Sequence, residues 1–262
     1  MSRLSLLITV ATLPVFLILL YIYQKDKNKE PTKLLLKLFG CGILTCFIVL
    51  IISTLLNPIF PFMGKEPTDM NFLEVLIYSF VIVALLEESC KWVMVYNVGY
   101  KNSHFDEIYD IMVYSVFVSL GFAFFENLLY VLLNDSLLVG VFRGVLAIPG
   151  HACDAIFMGY YLSLAKIYSK KGNKSLEKKN IVLSILIPTI LHGIYDFCLF
   201  ADIVLLVLVF FVFIVFLYTI SIKKLKKVAE STEQLKERNK FCPNCGRIVT
   251  GPFCGNCGRK QD

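Results

Sequence analysis

Glu87-Glu88-Ser89-Cys90-Lys91 sits inside a long apolar run. Three further apolar runs carry Glu126-Asn127, His151-Ala152-Cys153-Asp154 and His192 with Asp196. Ionisable side chains are costly in a bilayer, and where they persist they mark ion pathways, relays or reacting groups. Only three His occur in the chain, and two of them, His151 and His192, belong to this set. Carboxylates beside imidazoles can hold a divalent metal, activate a water or relay protons. On a helix Lys91 follows Glu87 by four residues and Glu88 by three, so it can neutralise either. The two Glu point about 100° apart, so one can face a cavity while the other holds Lys91 or a neighbouring helix. Glu126 lies among aromatic residues with no cation within a helical turn, where a metal or a His from another helix would relieve its charge. His192 and Asp196 share a helix face, and Asp196 suits the partner that fixes the tautomer of a ligating His.

The elements that must position these groups are membrane spans. Hydrophobic residues make up 57% of the 262 and charged residues 18%, which excludes a disordered chain and an ordinary water-soluble domain. A spanning helix needs about 20 apolar residues. Seven runs qualify: 4–23, 34–56, 77–98, 108–133, 141–168, 181–200 and 203–222. The last two nearly touch and suit a tight hairpin. Helix is the expected state, because an open sheet leaves backbone groups unsatisfied in lipid. The first run is read as a retained span, being longer than a signal-peptide core and lacking a small-residue cleavage pattern. The fold class expected is an all-α polytopic membrane protein of about seven transmembrane helices with a small C-terminal zinc ribbon. Its divisions are a transmembrane helical domain over 1–222, a basic linker over 223–240 and the ribbon over 241–262.

Loops 24–33 and 166–180 are rich in Lys, and so is the tail, while loop 100–107 holds Lys101. The alternate loops hold only Lys65 and Arg143. By the positive-inside rule the expected location is the cell membrane, with the N-terminus outside and the C-terminus cytoplasmic. Counting along these runs at 1.5 Å per residue puts Glu88, Glu126, His151 and His192 at a similar depth, as a shared site requires.

The net charge of +6 resides entirely in the residues after Ser221, which hold ten Lys or Arg and four Asp or Glu. Four of the nine Cys also lie there, as Cys242-x-x-Cys245 and Cys254-x-x-Cys257, each pair followed by Gly. Two residues between thiolates let both reach one tetrahedral zinc, and the Gly permits the positive φ of the turn beneath the sulfurs. A structural zinc in this minimal ribbon should supply its folding energy. The other five Cys are scattered through apolar sequence, so no disulfide framework is expected.

Taken together, Glu87-Glu88-x-x-Lys91, Phe122-x-x-x-Glu126-Asn127, Pro149-Gly150-His151-Ala152 and His192-Gly193-x-x-Asp196-Phe197 resemble the PrsW family of intramembrane proteases, which looks related to the CAAX-processing and bacteriocin-immunity membrane proteases. The resemblance covers roughly residues 70–200. It implies a metallopeptidase cutting a membrane-anchored protein, such as an anti-sigma factor, and maps functional roles onto Glu87, Glu88, Glu126, His151 and His192. In the metal version Glu126, His151 and His192 bind zinc and Glu87 or Glu88 is the general base, with Lys91 holding the other carboxylate and Asn127 donating to the oxyanion. In the metal-free version Glu87 or Glu88 activates water directly and the two His are oxyanion donors. Cys153-Asp154 departs from the apolar or small residues expected after His151, and the ribbon is an addition that suggests a cytoplasmic protein partner. The partners implied are the bilayer and a membrane-anchored substrate, with nucleic acid not expected. Two rivals share the residues. An ion-coupled transporter would need internal repeats with matching broken helices, and none is visible. A non-catalytic scaffold using the ribbon for recruitment would tolerate Glu88→Gln.

Overall fold

The structure is a computed structural model and describes residues 2–105, 107–238, 244, 253 and 256–260, with the side chains of 231–238 outside the description. Among the described residues the architecture is all helical. The elements in chain order are α1 (Arg3–Lys25), α2 (Thr32–Leu56), α3 (Phe72–Ile77), α4 (Leu86–Met94), α5 (Ile108–Leu133), α6 (Leu137–Val145), α7 (Ala147–Lys170), α8 (Lys174–Phe200) and α9 (Val204–Arg238). Two short 3₁₀ turns lie between α2 and α3. Polar side chains close several helix starts, where backbone N–H groups lack partners. Ser2 accepts from the Ser5 N–H, Asn71 and Glu74 form a reciprocal capping box, Glu107 and Asp110 form another, and Asn173 accepts from the Leu176 N–H.

Among the described residues six helical segments are long and apolar enough to cross a bilayer, with α6 and α7 together counting as one. Two of the seven expected runs differ from plain spans. The run over 77–98 is a rod in which π-helical stretches, Tyr78–Leu85 and Val95–Tyr100, flank α4. Together with its three charges, this interruption keeps it outside the six. Within α4 the winding stays α-helical, so Glu87, Glu88 and Lys91 keep the expected spacing. The run over 141–168 is broken at Leu146, between α6 and α7. Pro149 has no N–H for the Val145 carbonyl, so the ladder is interrupted there. The last two runs form the expected hairpin, turning over 201–203 with Asp202 at φ 49°.

α9 does not end at the boundary expected at 222 but continues through Arg238. Leu225 and Val228, one turn apart, are buried in the main core with Ile22 and Tyr109, and this apolar pair gives the basic segment a surface to pack. Outward residues of the hairpin stay apolar, with Val204, Val212 and Val215 well exposed, as a lipid-facing surface requires. Cys242, Cys245 and Cys254 of the expected ribbon lie outside the described residues. Of the fourth position, Cys257 is exposed and Gly258 adopts φ 71°.

α5 forms the centre, buried continuously from Tyr109 to Ala123. Glycines bring its neighbours to backbone contact. A Cβ on Gly42 of α2 would stand 2.0 Å from the Val118 carbonyl oxygen, and one on Gly121 of α5 would stand 2.1 Å from that of Phe39. A Cβ on Gly159 of α7 would meet the Met112 Cα at 2.6 Å. Small residues permit such approach between membrane helices. Gly42→Val is therefore expected to destabilise the bundle by about 3 kcal/mol or more, seen as a lower thermal midpoint in detergent. Gly40→Val, with nothing within 4 Å of its Cβ, should leave the midpoint unchanged.

Candidate metal centre

The packing of the bundle brings ionisable groups of α4, α5, α7 and α8 into contact. On α4, Lys91 Nζ lies 3.1 Å from Glu87 Oε2 and 2.8 Å from Glu88 Oε1. It also stands 3.3 Å from His151 Nδ1 on α7 and 4.1 Å above the Phe122 ring. An ammonium only donates, so His151 Nδ1 presents a lone pair and its Nε2–H faces Glu126 Oε2, 3.1 Å away. The two His rings meet edge to face at 5.3 Å.

His192 lies between two carboxylates. Its Nδ1 is 3.0 Å from Glu88 Oε1 and its Nε2 is 3.3 Å from Asp196 Oδ2. A neutral imidazole carries one N–H. Here Nδ1 makes the hydrogen bond to Glu88 Oε1, whereas Asp196 Oδ2 has no hydrogen-bond partner; moving the proton to Nε2, on the Asp196 side, would free the Nδ1 lone pair beside Glu88 for a metal. Glu88 Oε2 is buried and has no hydrogen-bond partner, which leaves a further lone pair available.

Glu87, Glu88, His151 and His192 are all buried, and one ligand atom from each lies within 4.8 Å of the others. Two carboxylates and two imidazoles are an oxygen-and-nitrogen donor set suited to zinc or a similar divalent ion. These four residues fit a metal.

Glu126 stands at the edge of this group. Its Oε2 is 2.7 Å from Arg143 Nη2 of α6 and also faces His151 Nε2. The relief expected from a metal or a His is thus supplied by a His and an Arg. Asn127 is committed elsewhere, its Nδ2 donating to the Ala11 carbonyl at 2.7 Å and its Oδ1 accepting from Arg143 Nε at 2.9 Å. Asn127 joins α5 to α1, and in this arrangement its amide does not face the four-residue group.

Two further residues belong to this neighbourhood. Arg143, counted in the sequence among loop charges, is a helical residue of α6 that holds Glu126 and Asn127 and stacks its guanidinium 3.9 Å from the Tyr130 ring centre. Its signal was its place inside an apolar run eight residues before His151. Asp154 is 3% exposed, and its Oδ1 has no hydrogen-bond partner. It follows His151 by three residues, a spacing that puts both on one helix face.

The sequence model described as "PrsW family intramembrane metalloprotease" matches residues 30–220. The chain belongs to the PrsW family. A protein named Protease PrsW from Clostridioides difficile (strain 630) is 35% identical over 200 residues, covering 75% of this chain and 80% of that one. Another of that name from Oceanobacillus iheyensis is 37% identical over 186 residues, covering 71% and 79%. A third, from Bacillus subtilis (strain 168), is 35% identical over 196 residues, covering 74% and 83%. No solved structure matches. By this membership the chain is a multi-pass membrane protease, and all the residues of the metal centre fall inside the matched range.

Proposed function

We propose that this protease hydrolyses a peptide bond of a membrane-anchored regulatory protein, an anti-sigma factor being the class the resemblance implies. The observation that carries the reading is the meeting of Glu87, Glu88, His151 and His192, from three helices, within 4.8 Å in the buried interior of a membrane bundle. Glu88, His151 and His192 hold the metal, and Glu87 is the general base. Bound there, a zinc ion would lower the pKa of a coordinated water towards 7 and polarise the scissile carbonyl. Glu87 takes the proton from the attacking water and later gives it to the leaving amine. Lys91 keeps the base oriented and offsets the paired carboxylates. Asp196 fixes the His192 ring from its far nitrogen. Glu126 does the same for His151, with Arg143 balancing its charge and Asn127 bracing that contact.

The rod containing α4 is the seventh crossing of the membrane in this reading. That count leaves the N-terminus outside and the Lys-rich loops and tail in the cytoplasm. Cys242, Cys245, Cys254 and Cys257 bind a structural zinc, and the ribbon they form meets a cytoplasmic protein partner.

The test compares membrane-protein fragments from cells making wild type or His192→Ala at equal levels. New N-termini close to transmembrane segments, present only with wild type, are the expected result and identify the substrate. Identical fragment patterns, with the activating stress applied and repeated for Glu88→Gln, would refute hydrolysis.

A further inference from the structure

The break between α6 and α7 creates a problem that α9 solves. In a continuous helix the Val145 carbonyl would accept from the N–H of residue 149, but Pro149 has none. The neighbouring carbonyl of Leu146 still accepts from the Gly150 N–H at 3.1 Å. Val145 is 62% exposed on the outside of the bundle, where lipid offers no replacement donor, and an unpaired carbonyl there costs several kcal/mol. The Tyr218 hydroxyl of α9 reaches the break, 2.9 Å from the Val145 oxygen and 2.9 Å from the Leu146 oxygen. Its side chain packs, with Leu146 and Tyr195, against the buried cluster of Cys198, Phe210 and Ile214, so the hydroxyl is delivered by a half-buried side chain.

What the break separates makes this contact functional. Arg143 lies two residues before Val145, and His151 lies five residues after Leu146. Both converge on the same oxygen, Glu126 Oε2, at 2.7 and 3.1 Å. The angle between α6 and α7 therefore sets whether the two can meet there, and so how the His151 ring is aimed at the metal centre. We propose that Tyr218 is a positioning residue of the protease, holding the α6–α7 break at the angle that orients His151 through Glu126 and Arg143. Its hydroxyl bonds are to the carbonyls of the break and not to the residues proposed to hold the metal. The proposal rests on the protease reading for its activity readout, and on the hydrogen bond alone for its stability readout.

The test is a double-mutant cycle on the full chain with Tyr218→Phe and Pro149→Ala. The phenylalanine removes only the hydroxyl, and the alanine returns the missing N–H to Val145. Tyr218→Phe alone should lower kcat about tenfold with KM unchanged, since small misplacements of a catalytic group have effects of this order. In the Pro149→Ala background the same change should have little effect, because the carbonyl has its own donor. Thermal midpoints in detergent should follow the same pattern, with a drop of a few degrees only where Pro149 is present. Equal effects of Tyr218→Phe in both backgrounds, or a wild-type kcat in the single variant, overturn the proposal. A wild type that cleaves nothing while the midpoints show the coupling refutes the protease reading and with it the positioning role, leaving only the bond.

Discussion

Glu87→Gln is expected to lower kcat by about 10³ while the protein keeps its core metal, whereas Glu88→Gln is expected to lose that metal. Glu88 is wholly buried, its Oε1 bonded to Lys91 and facing His192, and its Oε2 is unpartnered. It has the lone pairs and the His neighbour of a ligand, and its side chain has no exposure at which to meet a water. Glu87 has Lys91 as its partner, and its side chain retains 8% exposure. It can meet a water and pass a proton onward. Glutamine keeps the shape of either side chain, and at Glu87 it removes the base alone. At Glu88 it replaces an anionic ligand with a neutral amide, which binds divalent ions far less well. The measurement pairs single-turnover cleavage with metal content. Both are done in protein whose Cys242, Cys245, Cys254 and Cys257 are changed to Ser, so that the tail contributes no zinc. Glu87→Gln protein that comes out metal-free, or Glu88→Gln protein that keeps its metal and loses only rate, would exchange the two roles.

How far these roles could be read in the sequence differs residue by residue. Helical spacing alone joins Glu87, Glu88 and Lys91, because α4 is regular over those positions. Counting along the apolar runs brings Glu88, Glu126, His151 and His192 to one depth, because spans cross a slab of fixed thickness. Neither argument reports rotation about a helix axis, and that is what separates Glu126 from the four-residue group and turns Asn127 towards Ala11. Arg143 is not legible as a site residue, because a cation near a span end looks like a topology signal. Its partner lies 17 residues away across a helix reversal. Tyr218 resembles any aromatic of a lipid-facing helix until Pro149 is seen to leave the Val145 carbonyl without a donor. The seven-run count fails as a count of plain helices at Tyr78–Leu85 and Val95–Tyr100, since hydropathy does not distinguish π from α winding.

Lys91→Met should make the fold depend on metal. The Lys91 ammonium is fully buried and contacts three of the four residues of the metal centre, Glu87, Glu88 and His151. It is the one Lys or Arg among the described residues at contact distance from the Glu87 and Glu88 carboxylates, His192 lying beside Glu88 alone. Methionine fills similar volume and removes the charge, leaving two buried anions uncompensated. Breaking a buried ion pair in this way costs about 3–5 kcal/mol, so in chelator the variant should melt far below wild type. A divalent ion brings two positive charges to the same carboxylates, and ligand present at about 100 times its Kd contributes about 2.7 kcal/mol. Added zinc should therefore restore most of the lost midpoint in Lys91→Met and much less in wild type, where the ammonium already neutralises part of the site. Thermal unfolding with the tail cysteines changed to Ser, with chelator and with excess zinc, checks this. A variant as stable as wild type in chelator would mean that Glu87 and Glu88 are held as acids rather than anions. The metal reading would then lose its charged ligand, and the metal-free version, in which a glutamate activates water beside two His donors, would take its place.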